Sequence, residues 1–249
     1  MTWNASRLFE QPQLLSSRLV VVGIPSTESS KMNKKCVAII GAGPGVSAGV
    51  ARKFGANGFT VILLARNVES LRLRVSELQD AGIEAQGIVA DVTDLQSLQS
   101  AFARIHADHG TLAALVYNAG ANSIANPSVL DAADLARDFS VNVVGALTCA
   151  QLVIPSMVEQ GKGSILFTGG LLALNPVASR ASASISKAGL RNLTFTLADE
   201  LTGQGLKVGT VTIGGVVAAG TFFDPDLIAE AFWDLHTGKA AGEVLYVQP

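Results

Sequence analysis

Two cysteines, two tyrosines and three histidines in 249 residues leave little material for several kinds of chemistry. Cys36 and Cys149 are too few for a disulfide framework and lack the spacing of a metal motif. Each stands in apolar sequence and reads as a plain buried residue, so a reducing, cytoplasmic setting is the simplest fit. His106 and His109 are three apart, but only Asp108 accompanies them, so no metal site is expected. Charged residues make up only 15% of the chain, the formal net charge is −2, and no basic block occurs. Neither nucleic acid nor an anionic membrane surface is therefore an expected partner. The most apolar stretch near the N-terminus, residues 19–24, is far too short to span a membrane. It also has no basic segment before it, as a secretory signal would require.

What is present is apolar sequence, 49% of the chain. That length and composition fit one domain with a sizeable core, and the excess of apolar residues suggests a large oligomer interface. Residues 1–31 are Ser-rich, with Arg7 and Arg18, and read as a flexible N-terminal extension; an organelle-targeting segment is the weaker alternative. Met32-Asn-Lys-Lys stands directly before the first strand and would make a natural start. The domain is then 32–249. Apolar runs at 36–40, 60–65, 85–90, 112–117, 164–168, 207–213 and 243–247 read as strands. Several are continuously apolar, as parallel strands covered on both faces are. Helical patterns fall between them at 46–57, 69–81, 95–108, 130–160, 183–202 and 227–235, with Asp94 and Asp131 as N-caps. This alternation predicts a single-domain α/β fold with a doubly wound parallel sheet of about seven strands. In the helix at 69–81, Arg72 and Arg74 read as a solvated basic face.

The first strand runs directly into Gly41-Ala-Gly-Pro-Gly-Val-Ser-Ala-Gly49 and then a helix. Gly41, Gly43 and Gly45 let the backbone turn tightly and approach a pyrophosphate. The helix start at Val46 offers free N–H groups and a positive dipole end. Between a first strand and a first helix, such a turn is a strong dinucleotide signal.

Here the chain resembles the short-chain dehydrogenase/reductase family, whose fold is Rossmann-type, over residues 34–248. The family's Thr-Gly-x-x-x-Gly-x-Gly reads Ile40-Gly41-Ala-Gly-Pro-Gly45-Val-Ser47 in this chain, with Ser47 in place of the third glycine. Asp91-Val92 resembles the family's adenine-contacting Asp. Asn118-Ala119-Gly120 resembles its Asn-Asn-Ala-Gly, with Tyr117 in the first Asn place. Asn142 resembles its active-site Asn. NAD enzymes usually carry an acid at the end of the second strand. This chain has Ala65-Arg66-Asn67 there, which favours NADP over NAD because Arg66 suits a 2′-phosphate.

The resemblance also implies a catalytic set of Ser, Tyr, Lys and Asn, in which the Tyr stands four residues before the Lys. That spacing puts the pair on one helix face. Lys187 matches, but Ala183 holds the Tyr place and Gly170 the Ser place. Lys187 and Asn142 are therefore the candidate catalytic residues, with Ser184 and Thr168 as substitutes for the missing hydroxyls. Ser182 and Ser186 are also near. Ile213-Gly214-Gly215 replaces the usual Pro-Gly after the sixth strand, and Ala219 takes a usual Thr place, for which Thr221 could compensate. The pattern resembles a divergent branch of the family, whose tail also fits residues 224–236. Phe232 and Trp233 there are expected to close a pocket or an interface.

The expected activity is NADP-dependent oxidoreduction of a small carbonyl or alcohol, weak or atypical, with Lys187 relaying a proton through water that Asn142 orders. The alternative is a catalytically inactive NADP-binding sensor or partner subunit. The resemblance further implies a homodimer or homotetramer formed through the helices at 130–160 and 183–202.

Overall fold

A computed structural model of the protein describes residues 34–248. The expectation for residues 1–31 lies outside the described residues. Seven parallel strands form one sheet in the order β3-β2-β1-β4-β5-β6-β7. They are β1 (Cys36–Ile40), β2 (Thr60–Ala65), β3 (Ala85–Val89), β4 (Ala114–Tyr117), β5 (Gly163–Gly170), β6 (Leu206–Ile213) and β7 (Gly242–Tyr246). The helices are α1 (Val46–Ala56), α2 (Val68–Asp80), α3 (Leu95–His109), α4 (Ala132–Phe139), α5 (Gly145–Glu159), α6 (Ala181–Glu200) and α7 (Pro225–Thr237).

Alternation along each strand divides the core in two. Ala38 and Ile40 of β1 face one cluster with Phe102, Cys149 and Leu190, so α3, α5 and α6 cover that side. Val37 and Ile39 face the other with Phe54, Leu71 and Phe232, under α1, α2 and α7. Both sides being covered explains why the strands read as unbroken apolar runs. Cys36 and Cys149 are both buried in the first cluster. The chain steps from β1 to β2 and β3, then returns to β4 on the other side of β1. That reversal parts the connecting loops above the carboxyl ends of β1 and β4, where such sheets place their ligands.

Element ends differ from expectation where hydrogen bonds override the apolar pattern. The Asp131 carboxylate accepts from Ala133 N, so α4 starts at Ala132 rather than residue 130. Asp224 caps α7, and Pro225 opens it two residues before the expected start. β5 runs on to Gly170 because Gly170 still pairs with Ile213 of β6. Arg72 is solvated as expected, but Arg74 is not: its side chain is mostly buried and bonds Glu77 at 2.8 Å. It lies in a small enclosed space beside Gly43, Ser47 and Leu78, because α2 turns this residue toward α1.

The expected helix at 130–160 is α4, a π-helical turn at Ser140–Val144, and α5. By length and composition this 28-residue run, Ala132–Glu159, would suffice to cross a membrane. Here its apolar face packs into the sheet through Ala146, Cys149, Val153 and Met157. Tyr117, wholly buried, reaches this turn from β4 and donates its hydroxyl to the Val141 carbonyl. A Cβ at Gly145 would stand 2.6 Å from that hydroxyl and 2.9 Å from the Val92 carbonyl. Only glycine lets the helix pass Tyr117 at this distance.

Gly145→Ala is accordingly expected to destabilise the protein by about 1–3 kcal/mol through overpacking. Tyr117→Phe alone should cost about 1 kcal/mol for the lost hydrogen bond. The double variant should be less destabilised than the sum of the two, read from urea-unfolding midpoints in a double-mutant cycle; strict additivity would show that the two residues do not compete for space.

Candidate active site

A crevice of about 620 Å³ opens over the carboxyl ends of β1, β2 and β4. Gly41, Arg66, Asn67, Val92, Asn118, Ala119 and Gly120, all candidates from sequence, share its lining. Ala42, Ser70 and Val141 line it too and went unpicked. Each adjoins a picked motif or lies one helical turn from it, which is the signal that could have found them.

Hydrogen bonds hold the glycine turn in place. Gly41 N and Ala42 N both donate to the Leu64 carbonyl, at 2.9 and 3.0 Å. Ser47 Oγ donates to the Gly41 carbonyl at 2.7 Å and accepts from Asn118 Nδ2 at 2.7 Å. Ser47, in the place of the third glycine, thus ties the turn to the end of β4 by hydrogen bonds. The turn also has room for a ligand. A Cβ at Gly43 would meet nothing within 4 Å, and no side chain caps the start of α1 at Gly45. The Val46 side chain is committed to the core, leaving its backbone N–H for an anion. These residues fit a pyrophosphate.

The end of the crevice at β2 and β3 is polar. Asn67 caps α2, its Oδ1 accepting from Ser70 N at 2.8 Å. The Arg66 side chain is largely exposed, its Nη1 4.0 Å from Asp91 Oδ2. Asp91 lies beside the crevice, next to Val92, rather than in its lining. The Thr93 backbone N–H, bonded to Asp91 Oδ1 at 2.9 Å, does most to hold that carboxyl below its usual range.

The second group of candidates gathers at the end of β5. Lys187 reaches from α6 and donates from Nζ to the Thr168 carbonyl at 2.6 Å. Burial lowers its pKa to about 8. A Cβ at Gly170 would rest 3.5 Å from Lys187 Cε, an ordinary contact, so this strand end faces the lysine stem. Ala183 is buried one turn before Lys187. Neither Gly170 nor Ala183 brings an oxygen from its side chain.

None of the hydroxyls expected to substitute is bonded to Lys187. Ser184 Oγ donates to the Arg180 carbonyl and accepts from Val177 N, so both its roles are used in local structure. The Thr168 side chain is buried at the end of β5. Its hydroxyl is buried there without a partner. Only the carbonyl of Thr168 meets Lys187. Ser182 Oγ donates to Asp138 at 2.7 Å, and Ser186 is wholly buried. Thr221 Oγ donates to the Ala218 carbonyl at 2.7 Å and accepts from Phe223 N, shaping its own loop. Tyr246 gives its hydroxyl to the Phe222 carbonyl at 3.1 Å.

Asn142 lies in the π turn, close to Gly120 of the crevice. Its amide is committed at both ends, Oδ1 accepting from Ala121 N and Nδ2 donating to Ala121 O, at 2.7 and 2.8 Å. The side chain therefore fixes the 118–121 loop, and these two bonds use one of its two N–H donors and one of its two Oδ1 lone pairs. Buried Asp138, one turn before it, was not foreseen. It receives Ser182 Oγ and Ser123 N, with Arg137 at 3.6 Å, and so joins α4, α6 and the loop after β4. Burial opposes its charge, but the Ser182 and Ser123 bonds prevail and hold its carboxyl below the usual range. Among the described residues, no group of three or more His, Cys, Asp or Glu gathers as a metal site.

Comparison with known proteins gives one consistent result. The short chain dehydrogenase family profile matches residues 35–222. Oxidoreductase UcpA of Salmonella typhimurium is 33% identical over 192 residues, covering 75% of this chain and 71% of that protein. The 2-(S)-hydroxypropyl-CoM dehydrogenase 3 of Xanthobacter autotrophicus is 28% identical, covering 77% of this chain and 75% of its own length. Among solved structures, a metagenomic short-chain oxidoreductase in complex with NADP superposes with a TM-score of 0.78. It is 31% identical and covers 86% of this chain and 97% of its own.

Ser47→Ala should remove the partner that the Asn118 amide and the Gly41 carbonyl share, leaving only the longer 3.4 Å bond between those two groups. A loss of about 1–3 kcal/mol in stability is expected, together with weaker dinucleotide binding. Urea unfolding and calorimetry check both, and an unchanged dinucleotide affinity would show that the turn holds its shape without this link.

Proposed function

The chain belongs to the short-chain dehydrogenase family, and from that premise we propose that it is an NADP-dependent oxidoreductase with a reduced catalytic set, interconverting a small carbonyl and its alcohol. In this reading the chain falls in a divergent branch that has lost the usual Ser and Tyr at Gly170 and Ala183. One observation carries the reading: Lys187 is buried at the end of β5, bonded to the Thr168 carbonyl and in contact range of the vacated Gly170 place, which brings a titratable group to the site.

Gly41, Gly43, Gly45 and the N–H of Val46 would hold the pyrophosphate, and Val92, Asn118, Ala119 and Gly120 the wall of the crevice. Arg66 and the α2 start at Asn67 would meet a 2′-phosphate, with no carboxylate at Ala65 to oppose it. The relative solved with NADP supports this preference. When bound, the nicotinamide exchanges a hydride with the substrate carbon. With a pKa of about 8, Lys187 carries its proton at neutral pH and can give it up without a large cost. In this reading a water beside Gly170 and Ala183, where the usual hydroxyls are missing, would pass the proton from the lysine to the substrate oxygen. Asn142 holds the loop at Ala121. Exposed apolar side chains on the loops after β4, β5 and β6 (Ile124, Val129, Leu174, Val177, Val216) suit an apolar, uncharged substrate.

The same two replacements favour a second reading, a dinucleotide-binding sensor or partner subunit without turnover. A positioned general acid contributes on the order of 10²–10⁴ in rate, and this chain lacks the usual one. In either reading the protein is cytoplasmic. It pairs into a homodimer or homotetramer through α5 and α6, whose Val144 edge, Ile185 and Phe195 stand exposed.

Calorimetry with NADPH and NADH, beside NADPH oxidation against a panel of carbonyl compounds, tests the proposal. NADPH should bind tighter, and Arg66→Ala should remove roughly ten-fold of that preference; equal affinities would point away from NADP. Gly170→Ser with Ala183→Tyr should raise turnover on the order of 10²-fold, because the added phenol would stand four residues before Lys187. No gain in a folded, NADPH-binding double variant would show that the vacated places are not the acid site. Binding without turnover in the unaltered chain would favour the sensor.

A further inference from the structure

A second large cavity, about 630 Å³, lies at the opposite edge of the sheet, under the amino ends of the strands. The starts of β1, β4, β5 and β6 are neighbours there. Lys34 and Lys35 precede β1, Lys162 precedes β5 and Lys207 lies at the start of β6, and all four line the cavity. They are half of the chain's eight lysines. Lys34 is paired with Glu84 at 2.8 Å. Among the described residues, no carboxylate lies within 4 Å of Lys35, Lys162 or Lys207, and none lines the cavity. Like charges around one concavity repel one another and focus a positive potential into it. On a chain of net charge −2 this concentration is local.

The wall beside the lysines is aromatic. Phe59, Trp233 and His236 line the cavity, and Trp233 and His236 rings are 5.4 Å apart. The ring of His236 stays neutral at physiological pH: burial, then Lys207 and Lys35, lower its pKa to about 4. His236 Nδ1 is 2.7 Å from Ser164 Oγ, and its carbonyl accepts from Lys207 Nζ at 2.8 Å, which holds that ammonium at the cavity wall. Neutral Asn57, Thr111 and Gln160 complete the polar side. Lysines are point-charge binders of phosphate, and aromatic faces take planar rings. The volume is within the range of small-molecule sites and close to that of the dinucleotide crevice.

We propose that this cavity is a second binding site, for a phosphate-bearing aromatic small molecule of nucleotide size, separate from the crevice at the carboxyl ends. A five-residue strand such as β1 separates the two edges by roughly 17 Å, so one ligand does not fill both. Lys35, Lys162 and Lys207 take the phosphates, and Trp233 and His236 border the ring.

The test is calorimetric titration of ATP into the full chain saturated with NADP⁺, at low salt, with inorganic pyrophosphate as the second probe. One ATP should bind per chain, more tightly than pyrophosphate. Lys35→Gln with Lys162→Gln should weaken it by at least about ten-fold while NADP⁺ affinity and the melting temperature hold. Absence of ATP binding, loss of it under NADP⁺ saturation, indifference to the double variant, or equal affinity for pyrophosphate would each overturn the proposal.

Discussion

One hydrogen bond, from Lys187 Nζ to the Thr168 carbonyl, fixes the lysine on which the proposed chemistry depends. It draws a lysine out of water on α6 and holds it at the end of β5. That burial alone brings its pKa down to about 8. A lysine left in solvent would keep its proton too firmly to act as an acid near neutrality. The surrounding structure serves this placement. Two-sided burial of the sheet fixes the strand ends, and the long helices set the height of α6 against them. Asp138 adds a polar tie among α4, α6 and the loop after β4.

The same economy governs the dinucleotide side. A parallel sheet brings its strand ends to one edge, and the reversal of strand order opens the crevice there. Ser47 then does with two hydrogen bonds what a third glycine would do by close packing. Tyr117, in an Asn place, fills core volume that Gly145 concedes, and it fastens the π turn that carries Asn142. Such turns are frequent at functional sites because they re-aim backbone and side chains within a helix. Here the outcome is an Asn142 amide locked onto Ala121.

Much of this was legible in the sequence. The seven strands follow from apolar runs, and their parallel order from strand–helix alternation. Gly41, Asn118 and Arg66 were found from motif and position, and they do share one crevice. What periodicity could not give was the direction of small hydroxyls. Ser184 and Thr168 lie near the vacant places in sequence, but a helix-start bond holds one and the other is buried without a partner. Arg74 looked solvated because its neighbours are charged, and only the packing of α2 on α1 buries it. The basic cavity under the sheet was invisible for a related reason. Its lysines are scattered from Lys34 to Lys207, and only the strand order β1-β4-β5-β6 gathers them.

The central claim is that Lys187 is the proton source, and single-turnover oxidation of bound NADPH across pH tests it most directly. With a carbonyl substrate, the rate in the unaltered protein should fall as pH rises through about 8, where Lys187 loses its proton. Lys187→Met should lower the rate and flatten that dependence while still binding NADPH. An unchanged pH profile in Lys187→Met, at a rate near that of the unaltered protein, would contradict the account.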